Sequence, residues 1–184
     1  MDKVANDAEL KDMLKDPQKR RKGFEAMVRQ YGEQLYWQVR RIVLLHEDAD
    51  DVLQNTFLKA WNALDSFHGD SKVITWLSRI AINEALDWVR RKKKLTTMRA
   101  DDDAQHIANQ LTADRYFDGD MAETRLQEAI ATLPQVQRTV FLLRYYDEMK
   151  YSEISQITGT SEGGLKASYH FAVKKISDFL RNNH

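Results

Sequence analysis

The apolar residues Phe24, Met27, Val28, Tyr31, Leu35, Val39 and Ile42 recur at steps of three and four, the spacing that lines one side of a helix. No stretch of useful length alternates apolar and polar residues as a half-buried strand would, and no internal repeat is visible. The chain therefore reads as all-α. A second helix is expected over about Asp48 to Leu64, with Leu53, Phe57, Ala60 and Leu64 on one face. Asp48, Asp50 and Asp51 cluster near its start, where the helix dipole favours carboxylates. The break Asp65 to Ser71 holds Gly, Asp and Ser, residues of turns and caps. A long helix from Val73 to Lys94 follows and ends in five consecutive basic residues, Arg90 to Lys94.

From Leu95 to Asp120 the periodicity is lost, and Asp101, Asp102, Asp103, Asp114, Asp118 and Asp120 accumulate. That composition predicts an acidic flexible linker between two small helical domains, residues 1–94 and 121–184. The second domain should hold a helix over about Glu123 to Thr132 and another opened by Pro134, a residue favoured at the first helical position. The segment YSEISQITGTSEGGLKASYHFAVKKI, Tyr151 to Ile176, has a helix-turn-helix layout. It offers a short helix capped by Ser152, a turn at Gly159-Thr160, and a last helix capped by Ser161 and running to about Leu180.

Charge and composition narrow the function classes. The 28 Lys/Arg and 28 Asp/Glu balance overall, but residues 1–94 carry 18 against 15, residues 95–132 carry 3 against 8, and residues 133–184 carry 7 against 5. An acidic middle between two mildly basic ends suits a nucleic-acid binder whose connector avoids the polyanion, although solvated charge explains any single run as well. With no cysteine there is neither a disulfide framework nor a thiolate zinc site. The first residues, MDKVANDAELKDML, lack the apolar run of a signal peptide or membrane span, which predicts a soluble cytoplasmic protein without membrane insertion.

Two helical faces carry candidate binding chemistry. On the long helix Leu77, Ile80, Ala81, Ala85 and Trp88 make a packing stripe, and Trp76, Arg79, Asn83 and Arg90 fall on a neighbouring face. A ring, an amide and guanidiniums pointing one way are the equipment of a single-strand binder; a core tryptophan and a basic helix end are the bland alternative. On the last helix Leu165, Tyr169, Ala172 and Ile176 form the inward stripe. Lys166, His170 and Lys174 share the outer face with Ala167, placed either to meet a major groove or merely to solvate a hairpin.

Three segments in order resemble a known family. DADDVLQNTFLKAW (Asp48 to Trp61) looks like the core-binding segment of bacterial RNA polymerase sigma factors. FHGDSKVITWLSRIAINEALDWVRRKKK (Phe67 to Lys94) looks like their minus-10 reader, and Leu133 to Ile176 looks like their minus-35 reader. A chain with only these segments and a linker resembles the ECF (extracytoplasmic function) group, from Phe24 to Ile176.

The resemblance implies core RNA polymerase as partner, through the clamp helices of its largest subunit, with Asp48, Asp51, Gln54, Phe57 and Trp61 as the contact set. It implies promoter DNA as the second partner. Phe67, Gly69, Asp70 and Ser71 would form a loop that captures a flipped base. Trp76, Arg79 and Asn83 would face the unpaired strand and Arg90 and Arg91 its phosphates, while Lys166, Ser168, His170 and Lys174 would meet the minus-35 duplex. Family members often carry arginine where Ser168 and Phe171 stand. An anti-sigma factor is the implied regulatory partner, and the acidic linker either lies inside the polymerase or is a plain tether.

An ordinary helix-turn-helix regulator would explain residues 133–176 but not DADDVLQNTFLKAW or the Trp76 face. An enzyme is the poorest fit. The His46 to Asp51 run lacks the spacing of a calcium loop or a zinc protease, and nothing assembles a nucleophile. No cofactor or metal is expected.

Overall fold

A computed structural model of the chain describes residues 6–95 and 121–182. Among the described residues every regular element is helical: α1 (Asp7–Lys15), α2 (Arg20–Val43), α3 (His46–Asn62), a 3-10 turn (Leu64–Ser66), α4 (Val73–Leu95), α5 (Met121–Ala131), α6 (Gln135–Tyr145), α7 (Tyr151–Thr158) and α8 (Glu162–Asn182). They form two compact units, one built from α1–α4 and the other from α5–α8. The acidic stretch around Asp101 to Asp103 lies outside the described residues.

The first unit contains a helix that periodicity did not announce. Asn6 caps α1 by accepting from the Glu9 N–H at 2.9 Å, and Glu9 reaches back to the Asn6 N–H at 3.2 Å, a reciprocal capping box. Leu10 and Leu14 are its buried side chains. α1 packs closely on α2 because Gly23 leaves room: a Cβ there would stand 2.8 Å from Met13 Cβ. Met27, Leu35, Val39 and Ile42 of α2 are buried, as the three-four spacing requires, whereas Phe24, Val28 and Tyr31 sit at the half-buried margin.

In α3 the inward stripe is Ala49, Val52, Thr56 and Ala60. Leu53 and Phe57, expected inside, are only half-buried. The hydroxyl of Thr56 donates to the Val52 carbonyl at 2.8 Å, which satisfies it within its own helix and lets a polar residue occupy the core. Small residues let neighbouring helices approach, and the large side chains are displaced to the flank.

The second unit packs α5, α6 and α7 around α8. Leu133, Val140, Phe141, Leu142, Leu143, Ile154, Leu165, Ala172 and Ile176 form its core. A polar triangle ties α5 to the residue after α6. The Gln127 amide donates to Glu123 at 2.7 Å and to the Tyr146 hydroxyl at 2.9 Å, and that hydroxyl donates to Glu123 at 2.9 Å. α7 ends in left-handed Gly159 (φ 71°), and Ser161 caps α8 by accepting the Gly164 N–H at 3.2 Å.

Two terminus expectations shift. Pro134 is the N-cap of α6, not its first helical residue. α7 begins at Tyr151, and the Glu153 carboxylate, rather than Ser152, serves its start by accepting the Lys150 N–H at 2.9 Å.

Candidate functional site

Helix α3 turns Asp51, Gln54, Leu58 and Trp61 outward along one ridge. Leu58 leaves 59% and Trp61 42% of its surface open. Asp48 and Phe57 flank the ridge, both half-buried. Phe24 of α2 braces the aromatic end: its ring meets Trp61 edge-on at 5.0 Å and Phe57 edge-on at 6.4 Å. Leu58 shares this ridge although it stands outside the expected contact set. Its signal was its place one turn from both Gln54 and Trp61.

Beyond α3 the chain turns at Gly69, whose φ of 84° suits glycine. Helix α1 closes over this turn. The Lys15 ammonium lies 3.1 Å from where a Gly69 Cβ would stand, and the Arg20 guanidinium at the start of α2 pairs with Asp65 at 2.8 Å. Asp7 of α1 accepts the Val73 N–H at 2.9 Å, so a side chain from a distant helix caps the start of α4. Partial burial would raise the Asp7 carboxyl, but the Val73 N–H, the Lys11 ammonium at 3.0 Å and Lys72 outweigh it and hold its pKa below 3.8.

On α4 the structure brings Trp76, Arg79, Asn83 and Arg90 to one side, with Arg79, Asn83 and Arg90 exposed and Trp76 half-buried. Asp70 is exposed and Ser71 half-buried in the turn before them. Phe67 departs from the expected pocket lining. It is 6% exposed and stacks on Trp76, ring centroids 4.6 Å apart at 29°. It forms the floor under the indole. Arg90 is held by Asp87 at 2.8 Å, while Arg91 donates to the Asp87 carbonyl at 3.3 Å and lies 5.8 Å over the Trp88 ring. Glu84, 6% exposed, is neutralised on the inner side by an ion pair from Lys59 of α3.

In the second unit α7, Gly159 and α8 make the helix-turn-helix. Lys166, His170 and Lys174 are exposed on α8 and Ser168 is half-buried. The Lys166 ammonium lies 5.8 Å over the Tyr151 ring of α7, a ring also covered by the Arg144 guanidinium at 4.8 Å.

Both units match models of one family. Residues 27–95 match Sigma-70 region 2 and residues 123–176 match Sigma-70, region 4. The ECF RNA polymerase sigma factor SigW of Bacillus subtilis is 30% identical over 167 residues, covering 86% of this chain and 89% of that one. The chain belongs to the ECF group of sigma factors.

Sigma factor YlaC of the same organism is 31% identical over 156 residues, 84% of this chain and 90% of its own. Among solved structures, CnrH in complex with the cytosolic domain of CnrY aligns with a TM-score of 0.65 at 23% identity, covering 97% of this chain and 99% of that one. The sigma factor RpoE of Bartonella quintana, in complex with the anti-sigma factor NepR, aligns at 0.65 and 21%, covering 89% and 99%. Both share the helical fold. This sigma factor is a transcription initiation factor that directs RNA polymerase to promoters. Among its described residues no helix is long and apolar enough to cross a membrane.

Proposed function

We propose that the α3 ridge docks on the polymerase and that the Gly69 turn with the outer side of α4 holds the unpaired minus-10 strand. In this reading α8 enters the major groove of the minus-35 duplex. The observation that carries it is the grouping of Trp76, Arg79 and Asn83 directly after a turn braced by α1. Stacking on an indole retains a base, and edge groups of Arg and Asn select it.

On the ridge, Asp51 steers encounter, while Leu58 and Trp61 supply apolar contact that Gln54 rims. Asp48 and Phe57 extend it on either flank. Gly69, Asp70 and Ser71 shape the pocket for a flipped base above the Phe67 floor, and Arg90 and Arg91 at the far end of α4 meet phosphates. Lys166, Ser168, His170 and Lys174 address the duplex. The domains are residues 1–94 and 121–184, with 95–120 as linker. The factor performs no bond chemistry of its own, works in the cytoplasm beside its polymerase, and is held by an anti-sigma factor that covers these surfaces.

Run-off transcription with purified core polymerase and genomic fragments tests this. New start sites that depend on both promoter elements are expected. Specific duplex binding without any new start would mark a plain helix-turn-helix regulator instead.

A further inference from the structure

Helix α8 carries two different strips on its outer side. Lys166, His170 and Lys174, four apart, make a cationic and imidazole strip. Ala167 and Phe171, also four apart and exposed, make a second strip with no polar side-chain atom. Phe171 leaves 53% of its surface open, and its ring borders that of His170, centroids 6.0 Å apart. The inward positions are filled independently of it by Leu165, Ala172 and Ile176. Phe171 is therefore not a core residue that failed to find its core.

The surroundings say what such a ring can meet. α8 carries four basic residues, Lys166, Lys174, Lys175 and Arg181, against two acidic ones, Glu162 and Asp178, a charge balance suited to a polyanion. A major groove displays one apolar group, the 5-methyl of thymine, which Ala and Phe side chains contact. Guanine is read by Arg or Lys and adenine by Asn or Gln. From Glu162 to Lys174 there is no Arg, Asn or Gln, and Lys166 leans sideways over Tyr151. The outward turns of the helix thus hold no bidentate adenine reader and, beside Lys174, an apolar strip of Ala167 and Phe171.

We propose that Ala167 and Phe171 read thymine methyl groups in the minus-35 duplex, while the lysines hold the flanking phosphates. The inference rests on the assignment of α8 as the minus-35 reader. Four residues of helix rise about 6 Å, a little under two base-pair steps of about 3.4 Å. Two thymines on adjacent or next-adjacent pairs match that spacing.

The test uses holoenzyme assembled from the full chain and core polymerase, with a promoter mapped by run-off transcription. Each minus-35 thymine is replaced singly by deoxyuridine, which keeps every hydrogen-bonding group and lacks only the methyl. Affinity should fall about three- to tenfold at one or two positions, the worth of one buried methyl group. Phe171→Ala, a surface change whose folding is checked by thermal unfolding, should abolish the thymine/uracil difference at one of them, and Phe171→Leu should keep part of it. Equal binding of thymine and uracil at every position, on a promoter that still requires its minus-35 sequence, overturns the inference and leaves the assignment of α8 standing. Indifference to scrambling the minus-35 sequence overturns the assignment itself. A Phe171→Ala protein that retains full discrimination would give the ring to a protein partner and also overturn the inference.

Discussion

Removing the Asp7 carboxylate should loosen the start of α4, just after the Gly69 turn, from a position 66 residues away. Asp7 accepts the Val73 N–H at 2.9 Å, one of the donors that a helix start leaves without a partner inside the helix. Losing a capping carboxylate costs about 0.5–2 kcal/mol, typically near 1. Its charge near a helix N-terminus contributes about 0.3–1, partly overlapping that figure. The Lys11 pair, with both side chains partly exposed, adds a few tenths at most, roughly 0.3 kcal/mol. Asp7→Ala should therefore cost about 1–2 kcal/mol, a factor of about 5–30 in the local opening equilibrium.

Amide hydrogen exchange at Val73 in the full-length protein measures this directly. Asp7→Asn keeps an acceptor of similar capping strength and loses only the charge, so it should fall between the two. The pH dependence follows from the depressed carboxyl. The charge contributes fully above the ordinary value of 3.8 and is lost as the pH falls below it through the folded value. The gap between wild type and Asp7→Asn should be flat at neutral pH and close in acid. Unchanged Val73 protection in Asp7→Ala would falsify the idea that α1 holds the start of α4.

Four further substitutions have expected outcomes. Phe67→Ala should cost about 3–5 kcal/mol in urea unfolding, since it empties a buried aromatic site. Trp76→Ala should cost less stability but abolish retention of a minus-10 single strand; the reverse ranking would contradict the floor-and-platform arrangement. Leu58→Asp should weaken core-polymerase association about tenfold or more with an unchanged unfolding midpoint, measured by competition with a labelled factor. Lys174→Ala should lower the slope of log affinity against log salt for minus-35 duplex by about one, and no change of slope would remove Lys174 from the phosphate contacts.

The all-helical class was legible because α2, α4 and α8 each repeat large apolar residues over several turns. Of the expected inward stripe, Leu165, Ala172 and Ile176 are buried for that reason, while Tyr169 is only half-buried. α1 was not legible. It spans nine residues with two buried leucines, too short a run for periodicity, and its value lies in the long-range hydrogen bond that Asp7 accepts from Val73 and in Lys15 standing beside Gly69. The faces of α3 were partly misjudged because its core side is made of Ala49, Val52, Thr56 and Ala60, all smaller than Leu53 and Phe57. Phe67 illustrates a similar limit. A ring beside a turn suggests a pocket wall, and only the fold reveals that Trp76 lies on top of it. The grouping of Trp76, Arg79 and Asn83 needed nothing beyond helical geometry.

The edge-on packing of Phe24 against Trp61 bears on how long a docked complex survives. An indole already confined by its neighbour forfeits little rotational freedom when a second surface covers it, whereas immobilising a loose side chain costs about 0.5–1.5 kcal/mol. Truncating Phe24, a residue outside the proposed ridge, would therefore act chiefly by shortening residence time on the polymerase.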